Sequence, residues 1–414
     1  MNPYEYKTLQ DDQLRLLELR PPQGGPDNTE LLALSLEAHD CAKAPPYVAL
    51  SYTWGTEEAN KTVSLDGQAF PVRPNLHACL FRLAAFSEQW PRFWIDAICI
   101  DQSNTRERNE QVSRMATTFL SATTVVAWLG DLADGETPSK RTCSLNFLSP
   151  MLLNRLLRQP YWDRMWVVQE LRLAHEVRFL WGPNVFRWVD FVPYVNFYHL
   201  FMFRWNSLPN ARYCRWYAPD HLHSIGPRKR GPYSGRSPPS VLQTVFGGGN
   251  RHTMVPLLGS LLDQHRSFLA TDPRDRVFAL LGLLSGNDRE VLGQVFPDYA
   301  MPFERVILIT MAFLRQQGPS VSWWLWSYYY PLEIFHVEKS VFKRLKAAVE
   351  EHETDKSLLW PIRGDNLRRR NELRGLRGMG KLSLEQTSEL SRCEAEHEAL
   401  VAEQVRILHE LARI

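Results

Sequence analysis

The chain has 414 residues, of which 44% are hydrophobic and 23% are charged, and its formal net charge is +2. At roughly 100–200 residues per domain, this length predicts two or three domains with a full apolar core. The balanced charge gives no overall field that would attract nucleic acid or an anionic membrane, and the apolar runs are too short to span a bilayer. We therefore expect a soluble globular protein that has neither nucleic acid nor a membrane as its partner.

The first residues and the cysteines bear on the compartment. The opening sequence, MNPYEYKTLQDDQ, lacks the basic stretch and apolar segment of a secretory signal. The six cysteines show no paired CxxC spacing, which favours reduced thiols over a disulfide framework. The nearest metal-like pattern, Cys214 with His221 and His223, lacks a fourth ligand. We expect a cytoplasmic protein, with the nucleus as the alternative, and no metal site.

The first predicted strand follows an N-terminal extension of residues 1–46, which ends in the turn-prone sequence KAPP. Residues 47–53, YVALSYT, are rich in β-forming side chains and lead into a Trp-Gly turn. An Asp-Gly pair at 66–67 between two short β-type runs predicts a hairpin with a type I′ turn. A helix is then predicted with Asn75 as its cap.

Two buried strands with a helix between them come next. Residues 93–100, FWIDAICI, are apolar over the length of a strand, as in a central strand that is covered on both faces. Asn104, with Glu107 three residues later, predicts a capped helix start, and residues 123–129 form the next buried strand. Strands that alternate with helices at this spacing predict an α/β fold with a mostly parallel sheet.

The α/β pattern continues with a helix at 145–157 and a strand at 177–182, so we place this domain at residues 47–190. Residues 191–254 change to aromatic, proline, glycine and arginine side chains, which predicts a variable and partly mobile insertion. Its basic run, GPRKRG, is interpreted as a solvated loop, with a nuclear signal as the alternative.

The rest of the chain is predicted to be mainly helical. Residues 255–318 predict a segment of three helices, and residues 319–414 a divergent C-terminal region. Within that region, residues 384–414 form an amphipathic helix with a broken heptad spacing. This helix either pairs with another helix or packs on its own domain.

Two aspartates accompany the strand at 93–100. Functional groups of open parallel sheets gather at the carboxyl ends of the strands, where Asp96 and Asp101 are expected. A buried carboxylate stays charged only beside a partner, for which Arg106 or Arg108 of the next helix is suitable. We favour a structural, loop-positioning role for these aspartates, with ligand binding by Asp96 as the alternative.

Six blocks of the sequence together carry a family signature. They are YVALSYTWG (47–55), NLHACL (75–80), FWIDAICIDQSNTRERNEQVSRM (93–115), VVAWLGD (125–131), YWDRMWVVQELRLA (161–174) and DPRDRVFALLGLL (272–284). In order and spacing they resemble the fungal heterokaryon incompatibility (HET) domain family. The resemblance implies a role in self/non-self recognition and programmed cell death when unlike fungal cells fuse. Asp101 departs from the family pattern, which usually has asparagine there.

The HET family is distantly similar to TIR domains, which implies a flavodoxin-like sheet flanked by helices. Some TIR domains cleave NAD with a glutamate, and the matching residue here is Glu170. The similarity therefore implies Glu170 as the candidate catalytic residue, NAD as substrate and no cofactor. The expected substrate contacts are Tyr52, Trp54, Gly55, Arg106, Arg108 and Trp166.

One carboxylate suffices for this reaction, because cleavage of the N-glycosidic bond releases neutral nicotinamide from a cationic pyridinium. The carboxylate would stabilise the positive charge that develops on the ribose. In the alternative interpretation, Glu170 is a surface residue of an amphipathic helix that pairs with Arg164 or Arg172. The protein would then be a non-catalytic module that signals by self-association or through an unidentified protein partner.

Overall fold

The computed structural model describes residues 4–20, 32–131, 155–156, 159–187, 190, 258–284, 286–316, 334–351, 359–379 and 381–413. The chain divides into two compact units, Met1–Arg251 and His252–Ile414. The predicted helix at 145–157 and the insertion at 191–254 fall wholly or largely outside the described residues. The predicted domain boundaries therefore stay predictions.

One nine-stranded sheet organises the first unit. Its strands are β1 (Gln13–Arg20), β2 (Ala33–Asp40), β3 (Val48–Ser51), β4 (Lys61–Leu65), β5 (Gln68–Val72), β6 (Arg92–Trp94), β7 (Thr124–Trp128), β8 (Val177–Trp181) and β9 (Asn184–Arg187). They lie in the order β5-β4-β2-β1-β6-β3-β7-β8-β9. The four strands that the sequence predicted, at 47–53, 93–100, 123–129 and 177–182, thus share one sheet.

The centre of this sheet is parallel. Strand β3 pairs in parallel with β6 and with β7, and β7 pairs in parallel with β8. Antiparallel pairs of β1 with β6 and of β8 with β9 flank this core. Across the sheet these four parallel strands lie in the order β6, β3, β7, β8. By their sequence in the chain they are the second, first, third and fourth, which is the strand order of flavodoxin-like folds. The predicted α/β fold class is confirmed.

This strand order fixes where a binding crevice would lie. The chain continues from β3 toward β6 on one side, and from β7 toward β8 on the other. Connections that leave neighbouring parallel strands in opposite directions open a crevice at their carboxyl ends. The carboxyl ends of β3 and β7 are therefore the place where functional side chains are expected.

The predicted strand at 93–100 is wrong beyond its first residues. Strand β6 ends at Trp94, and α2 (Asp96–Cys99) is a single helical turn. The backbone N–H groups of Ile98 and Cys99 both donate to the carbonyl of Ile95, which closes this turn. A short apolar run that is buried as a helix has the same composition as a buried strand, so the pattern could not separate the two.

Two strands of the presumed N-terminal extension were missed. Strand β1 pairs along its full length with β2, and it pairs with β6 at Leu17↔Phe93. Its sequence, QLRLLELR, contains mainly good helix formers, so local propensity gave no strand signal. Burial of positions 14–17 on both faces of the sheet outweighs that propensity. The short edge strand β9 was also missed.

The predicted hairpin is confirmed. Strands β4 and β5 pair in an antiparallel register that closes with Leu65↔Gln68, so two residues form the turn. Both turn residues are left-handed, with φ of 50° at Asp66 and 80° at Gly67. A two-residue turn with positive φ at both positions is the type I′ geometry that the Asp-Gly pair indicated.

Among the described residues of the first unit, three longer α-helices accompany α2: α1 (Pro74–Ala84), α3 (Thr105–Ser121) and α4 (Met165–Arg172). Helix α3 is capped as predicted, since the Asn104 side chain accepts a hydrogen bond from the Glu107 backbone N–H. The predicted cap of α1 is wrong, because Arg73 is the capping residue. The Asn75 side chain instead donates to the carbonyl of Thr53 and accepts from the Trp128 indole.

The second unit is helical where it is described. Its helices are α5 (Leu258–Gln264), α6 (Asp275–Leu281), α7 (Gly286–Gly293), α8 (Phe303–Gln316), α9 (Lys339–Glu351), α10 (Leu359–Gly378) and α11 (Leu384–Arg413). The predicted amphipathic helix is α11, which packs against α10, α8 and α7. Its buried residues include Leu390, Val401 and Leu408, so its apolar face is used within its own unit. No described helix combines the length and the apolar content needed to cross a bilayer.

Candidate functional site

Polar side chains converge at the carboxyl ends of β3 and β6. Ser51 is the last residue of β3, and Asp96 begins the helical turn after β6. The segment between β7 and β8 adds Tyr161, Arg164 and Glu170 to these side chains. We call these residues the Glu170 cluster: Ser51, Tyr52, Trp54, Asp96, Tyr161, Arg164 and Glu170.

Glu170 lies at the centre of this cluster. It is 3% exposed, on the buried side of α4. Its Oε2 atom accepts a short hydrogen bond from the Ser51 hydroxyl and lies 3.5 Å from an Arg164 guanidinium nitrogen. Glu170 is therefore a buried carboxylate with one charged partner, which differs from the surface residue of the alternative interpretation.

The sequence of α4 explains why Glu170 is buried. Val167, Val168 and Leu171 are fully or almost fully buried, so the helix packs firmly through this face. Glu170 follows one helical turn after Trp166, which is itself half-buried. A polar side chain within such an apolar face must find polar partners, and Ser51 and Arg164 supply them.

Asp96 forms the other acidic part of the cluster. Its Oδ2 accepts from the Trp54 indole N–H at 3.0 Å, and its Oδ1 accepts from the Ala97 backbone N–H at 2.7 Å. The cation that stabilises its charge is Arg164. The prediction that Arg106 is the partner of Asp96 is wrong, because Arg106 is 83% exposed and pairs with Glu110 on α3.

The buried carboxylate of Glu170 and the half-buried carboxylate of Asp96 share one arginine. Burial raises the pKa of Glu170, and the Arg164 charge and the Ser51 hydrogen bond act against this rise. Burial likewise raises the pKa of Asp96, again opposed by Arg164. Burial also raises the pKa of the Tyr52 hydroxyl well above its ordinary value. Acids with shifted pKa values at a strand's carboxyl end are typical of functional sites.

Two further residues that were expected to contact the substrate are Gly55 and Arg108. Gly55 follows Trp54 in a left-handed conformation with φ of 77°. Arg73, which the sequence analysis missed, donates to the Gly55 carbonyl at 2.7 Å and lies 5.6 Å above the Trp54 ring. Arg108 lies half-buried on α3.

Asp101 lies in the loop before α3. Its Oδ1 accepts from the Ser103 backbone N–H at 3.0 Å and from the Ser103 hydroxyl at 2.6 Å. Its own backbone N–H donates to Glu107. Asp101 thus stabilises the turn that leads into α3.

Potential metal ligands and the Cys99 thiol bear on two other kinds of chemistry. Among the described residues, no group of three or more His, Cys, Asp or Glu side chains could hold a metal ion. Cys214, His221 and His223 lie outside these residues. Cys99 is buried, and burial raises the pKa of its thiol to about 12, which disfavours the thiolate that a nucleophile needs.

Comparison with known proteins identifies the domain around this cluster. Residues 47–170 match the protein family described as Heterokaryon incompatibility protein (HET), so the chain contains a HET domain and the family resemblance is confirmed. Heterokaryon incompatibility protein 6, OR allele, of Neurospora crassa is 34% identical over 146 residues. Vegetative incompatibility protein HET-E-1 of Podospora anserina is 26% identical over 139 residues.

These matches are partial. The aligned region covers 32% of this chain and 21% of the Neurospora protein, and 33% of this chain and 10% of the Podospora protein. This chain therefore spans about a fifth or less of the length of these curated relatives. No solved structure matches the chain significantly. The further similarity to TIR domains stays a prediction.

Proposed function

We propose that this chain acts in heterokaryon incompatibility between fungal cells, as an effector or regulator of programmed cell death. The HET domain at residues 47–170 and the names of the two relatives support the role in incompatibility. The resemblance of the six sequence blocks supports the link to cell death. The reactive centre in this proposal is the Glu170 cluster, and its reaction is the cleavage of NAD into nicotinamide and ADP-ribose.

The position of Glu170 is the observation that carries the proposal. Its carboxylate lies beside Ser51, which is the last residue of β3. The carboxyl end of β3 is where the crevice of a flavodoxin-like sheet is expected. It is buried among polar partners that hold its orientation. A carboxylate that is held in a dry site acts more strongly on a developing positive charge than one in water.

The reaction follows from this charge. The bond between ribose C1′ and the pyridinium nitrogen breaks, and its electron pair leaves with nicotinamide, which becomes neutral. Positive charge then develops on the ribose, where the Glu170 carboxylate stabilises it. Water adds to C1′ and loses a proton, which gives ADP-ribose. No proton has to reach the leaving group, so a second acid is not required.

The remaining residues fit the other parts of the substrate. The Trp54 ring lies beside the cluster with its indole N–H on Asp96. Its face is covered by the Arg73 guanidinium, a combination that suits a planar base and a phosphate. In this proposal Trp54 stacks on a ring of NAD and Arg73 meets the pyrophosphate.

A nicotinamide-release assay on purified protein tests the proposal. The wild type should release nicotinamide from NAD, and Glu170→Gln should reduce the rate at least about a hundredfold, because the charge that faces the ribose is removed. The matched control is Glu176→Gln, whose carboxylate pairs with Arg178 and Thr124 outside the cluster. Full release by folded Glu170→Gln would remove Glu170 from the reaction.

A second candidate is a non-catalytic module that signals by self-association or through a protein partner. The observation in its favour is the burial of all but 3% of Glu170, which fits a carboxylate that orders the fold. In that case the wild type releases no nicotinamide at concentrations where light scattering shows it to be oligomeric. Glu170→Gln would then keep the killing activity of the wild type.

A further inference from the structure

A hydrogen-bonded chain leads from Tyr161 through Ser51 to Glu170. The Tyr161 hydroxyl lies 2.7 Å from Ser51 Oγ, and Ser51 Oγ donates to Glu170 Oε2. None of the three residues is more than 3% exposed. We call this chain the Tyr161 relay.

The direction of the relay follows from the number of protons. An ionised carboxylate can only accept, so Ser51 must give its single hydroxyl proton to Glu170. The bond between Tyr161 and Ser51 then has only one donor left, which is the Tyr161 hydroxyl. The relay therefore directs two successive O–H bonds toward the ionised form of Glu170.

We infer that Ser51 and Tyr161 are positioning residues, which hold the Glu170 carboxylate through Oε2 and leave Oε1 for the ribose. The inference rests on the proposed function, because it assigns an orientation to the carboxylate of that site. Ser51 and Arg164 both approach Oε2, so the known contacts gather on one oxygen. The other oxygen is then available to a ligand that enters the crevice.

The relay is built on rigid elements. Ser51 lies opposite Ala127 of β7, in the parallel centre of the sheet. Tyr161 lies in a short 3-10 helix, and its ring packs edge-on against Trp162 at 5.1 Å. Groups that are held by packed strands and rings orient a reacting side chain better than groups on loops.

Loss of the relay has a measurable consequence for Glu170. The Ser51 hydrogen bond lowers the pKa of Glu170, against the burial that raises it. A variant without this bond should therefore show a higher pKa, and its activity should require a higher pH. A residue that only filled space would leave the titration of Glu170 where it is.

Two variants and one control test the relay in the full chain. Ser51→Ala removes the bond to Glu170, and Tyr161→Phe removes only the outer hydroxyl while the ring stays in place. The control is Ser113→Ala, since Ser113 donates to the Glu110 backbone carbonyl on the exposed side of α3. The Glu170 carboxyl is followed by carbon-13 NMR, and its signal is assigned by its loss in Glu170→Gln.

The expected result is an ordered series. Ser51→Ala should raise the pKa of Glu170 by about half a unit to one unit. It should also lower kcat about tenfold to a hundredfold, with a smaller change in KM. Tyr161→Phe should shift both quantities in the same direction by less, and Ser113→Ala should shift neither.

Several results would overturn the inference. An unchanged Glu170 titration in both folded variants removes the relay, and a shifted titration with unchanged kcat removes its positioning role. If Ser51→Ala does not fold, Tyr161→Phe alone decides. If the wild type releases no nicotinamide, the proposed function fails, while the NMR titration still shows whether the relay holds the carboxylate.

Discussion

Within the described part of the first unit, two buried glutamates pair with an arginine, and the two pairs are built differently. Arg15 and Glu107 form two hydrogen bonds, at 2.5 Å and 3.0 Å, and their side chains are 3% and 7% exposed. Arg15 also donates to the carbonyls of Cys99 and Lys7. Glu107 also accepts from the Asp101 backbone N–H. This pair satisfies its charges with several short contacts.

The pair of Arg164 and Glu170 is looser. Its nitrogen and oxygen lie 3.5 Å apart, and the Arg164 side chain is 17% exposed. The Arg164 charge also stabilises the ionised form of Asp96, so one cation acts on two acids. A buried pair with every partner in place is suited to holding the fold, whereas acids that keep a raised pKa are suited to chemistry. The difference separates a structural tie from a candidate reactive site.

The largest effect is expected at the structural tie. Glu107→Gln removes one charge and leaves Arg15 buried without its counter-ion, at a cost of about 3–5 kcal/mol. The thermal midpoint should fall by roughly 10 °C. Glu110→Gln on the same helix is the control, because its partner Arg106 is 83% exposed. Equal midpoints for the two variants would show that the Arg15–Glu107 pair does not hold the fold.

A smaller loss is expected for Asp96→Asn. The amide keeps one acceptor oxygen, so it cannot retain all the hydrogen bonds that Trp54, Ala97 and Tyr52 donate to the carboxylate. Arg164 keeps Glu170 as its partner. Loss of one buried hydrogen bond should cost about 1–3 kcal/mol, measured by urea unfolding. A loss as large as that of Glu107→Gln would mean that Asp96 alone balances Arg164.

Glu170→Gln should have little effect on stability, and its sign should depend on pH. Because burial raises the pKa of Glu170 above its ordinary value of 4.5, the wild type gains from this group below that value. The gain is lost as the pH rises through the higher pKa of the folded state. Relative to Glu170→Gln, the wild type should therefore be more stable near about pH 5 than near about pH 8.

Thermal melts of both proteins at the two pH values measure this difference. Glu176→Gln serves as the control, because its carboxylate is 40% exposed beside Arg178. A wild type that gains stability over Glu170→Gln on going to high pH would show that the pKa of Glu170 is lowered. The Arg164 pair would then be as well satisfied as the Arg15 pair.

The smallest effect is expected for Arg106→Ala. Its ion pair with Glu110 is solvent-exposed, so its loss should change the free energy of unfolding by less than about 0.5 kcal/mol. NAD cleavage should also be unchanged, although the sequence analysis placed Arg106 among the substrate contacts. A marked loss of cleavage without a loss of stability would show that Arg106 takes part in substrate binding.

Elements with strong local chemistry could be predicted from the sequence. The Asp66-Gly67 turn and the Asn104 cap depend on side chains within a few residues, and both lie where the pattern placed them. The position of Asp96 just after β6 followed from the rule that functional groups gather at the carboxyl ends of parallel strands.

What could not be predicted depends on contacts across the sheet. Strand β1 reads locally as a helix and becomes a strand only because β2 and β6 flank it. The counter-ion of Asp96 was sought on the following helix, yet Arg164 reaches it from a segment nearly 70 residues away in sequence. Ser51 was not among the expected site residues, because nothing near it in sequence showed that Glu170 would be its partner.

The position of β1 also has a consequence for the order of events during synthesis. Arg15 and Glu107 are 92 residues apart, and β1 separates β2 from β6 in the finished sheet. At the translation rates of living cells, Arg15 leaves the ribosome on the order of ten seconds before Glu107 does. During that time β1 can pair with β2, and β2 can pair with β4, but the edge of β1 that will receive β6 stays open. A nascent chain of this protein thus carries an exposed strand edge until β6 is made. During this interval a chaperone that bound the edge of β1 would prevent its pairing with other chains.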